Sequence, residues 1–552
     1  MSRKHGHKRR SLSRPSVLDV PPDELTAIVA KAERGEVLSA EEAGKLRAAI
    51  ELIGFLRTEL QSKTTSLERL RKMLFGAPTE KTAAVLHEAQ DAQHPLDVMG
   101  QTTSGTRPPK TGHGRNAASA YTGATRVKVA HPTLATGDAC PGCSKGKIYP
   151  CAEPAQAVRI GGMAPLSATV YERDRLRCNL CGEVYTAPAP DGMSEQKYDE
   201  SASAMVGMLK YGAGLPFNRI ERLQSGMGTP LPAATQWDLV KAEAEKHSPV
   251  HEELIRQAAQ GELVHNDDTT MKVLKLTREQ RAAALGNDAE EARTGVFTSG
   301  IVSVGAGRKI ALFFTGVRHA GENLDQVLKR RAAELPPPIQ MCDGLPASET
   351  KDFDTLLANC LAHSRRRYVE VAESFPEEVR FVLEILREVY RIDAETFKQH
   401  LSPPERLREH QEKSAPLMKE LAEWMRVQFA ERLVEPNSTL GEAIQYMHRH
   451  WEPLTLFLRV PGAPLDNNAC ERVLKKAILH RKNALFYKTL NGARVGDIFM
   501  SLIHTAELAG VNVFEYLIAL QRHEKEVAQR PEAWMPWNYQ EALAGLATGP
   551  PA

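Results

Sequence analysis

The sequence predicts an α/β chain of several domains, and three patterns carry that expectation. Apolar, strand-like runs recur at 262–265, 295–304, 309–315 and 338–342, with a helical segment at 322–333 before the last. Residues 353–458 then read as almost wholly helical. Ahead of both, four of the eight cysteines fall into two Cys-x-x-Cys pairs. At 552 residues the chain can bury several cores. Its 42% hydrophobic and 25% charged residues are ordinary for a globular protein. No apolar run approaches the roughly 18 residues of a membrane span, and no apolar h-region opens the chain. The expectation is a cytoplasmic protein without a disulfide framework.

From the N-terminus, residues 1–20 form a basic tail: Arg3, Lys4, Lys8, Arg9, Arg10 and Arg14 meet no acid over the first 16 positions. Such a segment is either simply solvated or a polyanion-binding arm. Residues 21–76 form a helical region. Leu46, Ile53, Leu60, Leu67 and Leu74 recur every seven residues, with Ala49, Leu56 and Leu70 on the companion seam and Lys63 as the polar interruption. This pattern suits an oligomerising coiled coil; the competing reading is a hairpin with the helix at 22–34. Residues 77–130 lose periodicity and read as a linker containing His113 and Arg115, which either contact phosphate or are solvated.

The module at 131–190 carries Cys140, Cys143, Cys178 and Cys181, with 34 residues between the pairs. Four soft thiolates on two turns predict one closed, structural zinc site, against unpaired thiols or a redox pair. Strands are expected at 158–160 and 168–171. Residues 191–255 read as helix, glycine-bearing turn and helix, as in a helix-turn-helix DNA reader or in two helices that merely pack.

Three strands in succession, a helix and a further strand ending in an acid suit an RNase H-like core. Asp267 and Asp343 close apolar strands, at the carboxyl end where open α/β sheets place ligands. Strand alternation lets only one of Asp267 and Asp268 face the other acids. Glu471 lies on a basic helix. Lys475 and Lys482 follow at spacings of four and eleven, returning to nearly the same face. Arg472, Arg481 and Asn483 complete a set that either holds a DNA backbone or forms a solvated face. His363, with Arg365, Arg366 and Arg367, either contacts phosphate or pairs with Glu370 and Glu373. Carboxylates gathered this way can hold two divalent cations, which drive phosphodiester chemistry.

The run from Pro464 to Arg472 (Pro-Leu-Asp-Asn-Asn-Ala-Cys-Glu-Arg) continues through His480-Arg481-Lys482-Asn483-Ala484-Leu485-Phe486 to Ser501-Leu502-Ile503-His504-Thr505. Together with Arg69-Leu70-Arg71-Lys72-Met73-Leu74-Phe75-Gly76, Gly112-His113-Gly114-Arg115, the four cysteines and Ala362-His363-Ser364-Arg365-Arg366, it resembles the IS66-family transposases in collinear order from about 40 to 520. The resemblance implies a DDE transposase whose RNase H-like core (256–352 and 462–522) is interrupted by a helical insertion (353–461), with a tail at 523–552. It maps the triad onto Asp267, Asp343 and Glu471, with two Mg²⁺ or Mn²⁺ ions. It also implies binding to transposon ends and target DNA at the nucleoid, a homodimer or higher oligomer, and small accessory proteins. Departures are Leu345-Pro346 after Gly344, where a tyrosine is usual, and Lys475-Lys476, where Arg-Pro is common. The rival readings are a catalytically inactive, transposase-derived DNA-binding protein and an RNase H-like nuclease that cuts without joining.

Overall fold

The computed structural model describes residues 22–49, 132–139, 141, 143, 145–149, 163–177, 184–188, 190, 196–285 and 294–548. They belong to two compact units, divided after Asp91. In the first, α1 (Pro22–Glu33) turns at Gly35 (φ 74°) into a second helix over 40–49. Ion pairs Lys31–Glu42 (3.0 Å) and Lys45–Glu24 (2.8 Å) fix the two as an antiparallel pair. The start of the heptad stretch is therefore one arm of a hairpin. The heptads from Ile53 onward lie outside the described residues, as do the basic tail, the linker, His113 and Arg115.

In the second unit, short antiparallel pairings bracket both cysteine pairs. Ala139 bridges Lys147 around the first, and β1 (Arg175–Arg177) pairs with β2 (Val184–Thr186) around the second. The expected strand at 168–171 is not formed. Its apolar residues Val170 and Tyr171 stay exposed, and pairing begins only at Arg175. Cys143 is described; Cys140, Cys178 and Cys181 are not.

Helices α2 (Glu200–Gly207), α3 (Phe217–Gly226) and α4 (Ala233–Ala258) follow, with a π-turn after α2. Helix, turn and helix are present at 217–258, but they do not stand apart: Ala204, Val206, Val240, Ala244 and Leu254 share one core with the sheet. That sheet has five strands in the order β6 (Arg308–Gly316), β5 (Phe297–Gly305), β3 (Leu263–Thr270), β7 (Ile339–Cys342), β8 (Leu356–Asn359). β3, β5 and β6 are antiparallel, whereas β3, β7 and β8 are parallel. Ala306 (φ 49°) and Gly307 (φ 73°) give the β5–β6 hairpin its two left-handed turn residues. A second, parallel pair joins β4 (Val273–Lys275) to β9 (Tyr487–Thr489), and helix α5 (Arg278–Leu285) lies between β4 and β5.

Helix α6 (Ala320–Leu328) precedes β7. After β8 the chain runs through α7 (Leu361–Val369), α8 (Pro376–Lys398), α9 (Pro403–Glu409), α10 (Ala415–Ala430), α11 (Thr439–Arg449) and α12 (Trp451–Leu454). The helical insertion thus begins at 361 rather than 353, because 356–359 pair with β7 as the last strand. Helix α13 (Asn468–Ala484) returns to the sheet and α14 (Leu490–Leu508) follows β9. The last helices are α15 (Val513–Arg522), α16 (Glu524–Gln529) and α17 (Tyr539–Thr548). Residues 523–548 are not a loose tail, since Val527, Trp534, Met535 and Tyr539 are buried in the main core.

Helix α14 closes the open edge of the sheet by chemistry legible in its sequence. Asp497, Ser501 and Thr505 recur every four residues and accept hydrogen bonds from the backbone N–H groups of Thr315 (2.7 Å), Phe313 (3.0 Å) and Ala311 (3.1 Å). Four helical residues rise about 6 Å, close to the roughly 6.7 Å of two strand residues. One polar stripe therefore stays in register with alternate strand residues and stands in for a neighbouring strand. Among the described residues, no helix is long and apolar enough to cross a membrane.

Candidate active site

Strand β3 sends its two adjacent aspartates to opposite faces. Asp267 pairs in register with Gly300, and a Cβ at Gly300 would meet Leu474 and Cys470 of α13 at 3.3 and 3.5 Å. Asp267 therefore faces α13. Asp268 pairs with Ser299 on the other face, where His319 Nδ1 lies 2.8 Å from its Oδ2 and Asn323 of α6 bonds to Ser299 (2.8 Å). At the N-terminus of α6, Asp268 also accepts from the Ala320 N–H. Both aspartates lie inside the eight-residue strand rather than after it, because β3 runs on to Thr270 beside β5.

Asp343 leaves the end of β7 in a tight turn. Its carboxylate accepts from the Leu345 N–H (3.1 Å), and its carbonyl accepts from the Tyr446 hydroxyl of α11 (3.0 Å). Gly344 has φ 79°, which favours glycine, and a Cβ there would sit tightly, 3.1 Å from Tyr446 Oη.

Glu471 stands in the first turn of α13, whose start is fixed by fully buried Asn467. The Asn467 side chain donates to the Asn266 carbonyl (3.0 Å), its oxygen meets His265 Nδ1 (3.0 Å), and its backbone N–H donates to Cys360 Sγ (3.3 Å). The amide oxygen must accept, so His265 donates through Nδ1. Burial holds that imidazole neutral, with its pKa lowered to about 4. Farther along α13, Arg481 Nη1 donates to the hydroxyls of Thr269 and Thr270, both at 2.8 Å. The helix is thus pinned along β3 at both ends, and Glu471 comes to the face that carries Asp267.

The electrostatics record the convergence. The Asp267 pKa is raised to about 7, first by burial, then by the charge of Asp343, with Asp268 and Glu471 adding smaller repulsions against a lowering backbone bond from Asp268. Three half-buried carboxylates, two of which raise the pKa of the third, supply hard oxygen donors. Carboxylate oxygens are the donor type that Mg²⁺ or Mn²⁺ takes. Beside it, Cys360, His363 and Glu471 place ligand atoms within 4.8 Å of one another, His363 Nε2 lying 3.9 Å from Glu471 Oε1. His363 therefore turns toward the site rather than toward Glu370 or Glu373. A Cys-x-x-His placed just after a strand was the signal for this neighbour of Glu471.

Of the expected DNA contacts on α13, Arg472, Lys475 and Lys482 are exposed on one outward face. Arg481 is engaged by the threonines of β3, and Asn483 is half-buried near Gly214.

Comparison with known proteins agrees with this architecture. The profile of the Transposase IS66 family matches residues 196–495, from the first helices of the second unit to α14. The chain belongs to the IS66 family of transposases. Similar proteins from Sinorhizobium fredii (strain NBRC 101917 / NGR234) include the uncharacterized protein y4jD, 28% identical over 391 residues, covering 68% of this chain and 73% of that protein. Another, y4hP, is 24% identical over 387 residues, covering 67% and 68%. A third, y4qI, is 28% identical over 192 residues, about a third of each chain.

Proposed function

We propose that the protein is a DDE-type transposase that binds the terminal repeats of its element, cleaves DNA there and joins the freed 3′ end to target DNA. The observation that carries this reading is the meeting of acids from β3, the end of β7 and α13, where the Asp267 pKa is raised first by burial, then by the charge of Asp343 and more weakly by Glu471. The strand order β6-β5-β3-β7-β8, with three antiparallel strands followed by two parallel ones, supports an RNase H-like core.

In this reading Asp267, Asp343 and Glu471 would hold two Mg²⁺ or Mn²⁺ ions, whose chemistry when bound would be activation of the attacking oxygen and stabilisation of the departing one. The chain's own part is positional. Asn467 and Arg481 orient α13, the Tyr446 hydroxyl and Gly344 set the Asp343 turn, and Arg472, Lys475 and Lys482 offer charge to the DNA backbone. Zinc at Cys140, Cys143, Cys178 and Cys181 is part of the same proposal, supported by the antiparallel pairings that bracket each cysteine pair. Pairing of protomers across two DNA ends, accessory proteins of the same element and a place at the bacterial nucleoid complete it.

The Asp343→Asn variant should lose at least a hundredfold in Mg²⁺-dependent cleavage of end-containing DNA while binding it normally. Normal cleavage by that variant would remove Asp343 from the site. A strand-transfer assay on the wild type separates a transposase from a nuclease that cuts without joining.

A further inference from the structure

The end of α13 is built in a costly way. Leu485 adopts φ 68°, ψ −39°, and the Phe486 N–H closes a 2.8 Å bond to the Ala484 carbonyl two residues back. This is a γ-turn of the positive-φ hand, which is rare and strained for a branched side chain. Both side chains stand out from the fold, Leu485 65% exposed and Phe486 40% exposed.

The strained pair opens directly onto the β4–β9 ribbon. Val273 pairs with Tyr487, and both are buried, so alternation turns Leu274 and Lys488 outward. Leu274 is 50% exposed. The same register sets Lys272 beside Phe486, since the Tyr487 N–H donates to the Lys272 carbonyl. The outer face of the ribbon therefore alternates lysine with apolar side chains. From Arg472 to Gly496 the sequence holds no Asp or Glu, so this face has no carboxylate of its own along that run. The ribbon continues the elements that carry the acids, roughly 15–20 Å farther along them: β4 follows β3 after two residues, and Arg481 ties the end of α13 to Thr269 and Thr270.

We propose that Phe486, raised by the Leu485 turn and flanked by Lys272 and Lys488, is a stacking platform for an unpaired base of the DNA strand entering the site. An aromatic face offers stacking to any base, while lysines on either side meet the flanking phosphates. An isolated apolar patch would suit a protein partner, but apolar groups interleaved with lysines that form no ion pair among the described residues suit a polyanion that carries flat apolar rings. The proposal rests on the transposase reading and names the strand state that this site takes.

The test uses the full chain and two DNA probes in Mg²⁺-free buffer. One is a duplex with a short unpaired 3′ tail carrying 2-aminopurine; the other is the same duplex fully paired. Phe486→Ala should weaken binding of the tailed probe about tenfold and abolish its fluorescence change. Binding of the paired probe should stay within about twofold, and Phe486→Trp should retain the preference for the tail. Because Phe486 is exposed, the melting temperature should hold, which a parallel melt checks. Equal binding of both probes by wild type and Phe486→Ala would overturn the proposal, as would an equal loss on both. A change in oligomeric state with DNA binding intact would also overturn it, assigning the patch to a protein interface. Wild-type protein that binds neither probe would instead defeat the transposase reading itself.

Discussion

At the scale of single residues, several of the most consequential groups are polar side chains in apolar surroundings. Asp497 is buried against β6, its carboxylate accepting from the Thr315 N–H and hydroxyl, both at 2.7 Å. Burial nonetheless dominates and raises its pKa to about 8. A folded-state pKa above the unfolded one means that the folded chain holds the proton more tightly. The stabilisation is complete below about pH 4, erodes as pH rises, and is gone once pH passes about 8. Asp497→Asn keeps an acceptor for Thr315 but cannot ionise. Urea unfolding at pH 5 and pH 9 should show the wild type losing at least ~2 kcal/mol more than the variant over that interval. Identical pH slopes would mean that Asp497 is ionised throughout. Asp267 carries the same sign of shift, with burial again the leading cause and neighbouring carboxylates adding to it.

Among the elements, α14 and α13 do different work with similar-looking sequences. The stripe Asp497, Ser501, Thr505 makes α14 a substitute strand, and its hydroxyls are the partners of backbone groups that have no sheet neighbour. Ser501→Ala removes the acceptor from the buried Phe313 N–H and should cost about 1–3 kcal/mol in chemical denaturation. An exposed position on the same helix should cost less than about 0.5 kcal/mol. If Ser501→Ala proves neutral, the edge is satisfied some other way. Helix α13 instead couples the sheet to the site, and it packs closely over Gly300, where a Cβ would already press on Leu474 at 3.3 Å and touch Cys470 at 3.5 Å. The cysteine of the Asn-Asn-Ala-Cys-Glu-Arg run is thereby explained as packing: Cys470 is fully buried and donates to the Gly300 carbonyl.

For the whole molecule, the helical insertion is more than a spacer between the second and third acids. Helix α11 reaches back so that Tyr446 donates to the Asp343 carbonyl, while the Arg367 guanidinium lies 3.9 Å from the Tyr446 ring centre. Leu361 at the start of the insertion donates its N–H to the Leu465 carbonyl at its end, closing the excursion onto the core. Tyr446→Phe keeps the ring and removes one hydrogen bond. It should cost about 1 kcal/mol or less in stability. Loosening of the Asp343 turn should slow single-turnover cleavage by about tenfold. A variant with wild-type cleavage would show that the insertion leaves the Asp343 turn unaffected.

Much of this was legible in one dimension. Hydrophobic period and turn residues gave the α/β class and the strands at 295–304, 309–315 and 338–342, and the local runs marked Asp267 or Asp268, Asp343 and Glu471 as candidate acids, because each depends on contacts within a few residues. The ordered motifs gave the IS66 family in the same way. What the linear pattern could not decide was set by neighbours distant in sequence. β8 read as helix because four residues are too few to show a period, and pairing with β7 made them a strand. The separation of Asp267 from Asp268 needed Gly300 on one face and His319 on the other. The burial of the C-terminal helices needed the core they cover. The pairing of Lys272 with Phe486 and the turn of His363 toward Glu471 arise only when segments more than a hundred residues apart meet, since side-chain chemistry is local in space rather than along the chain.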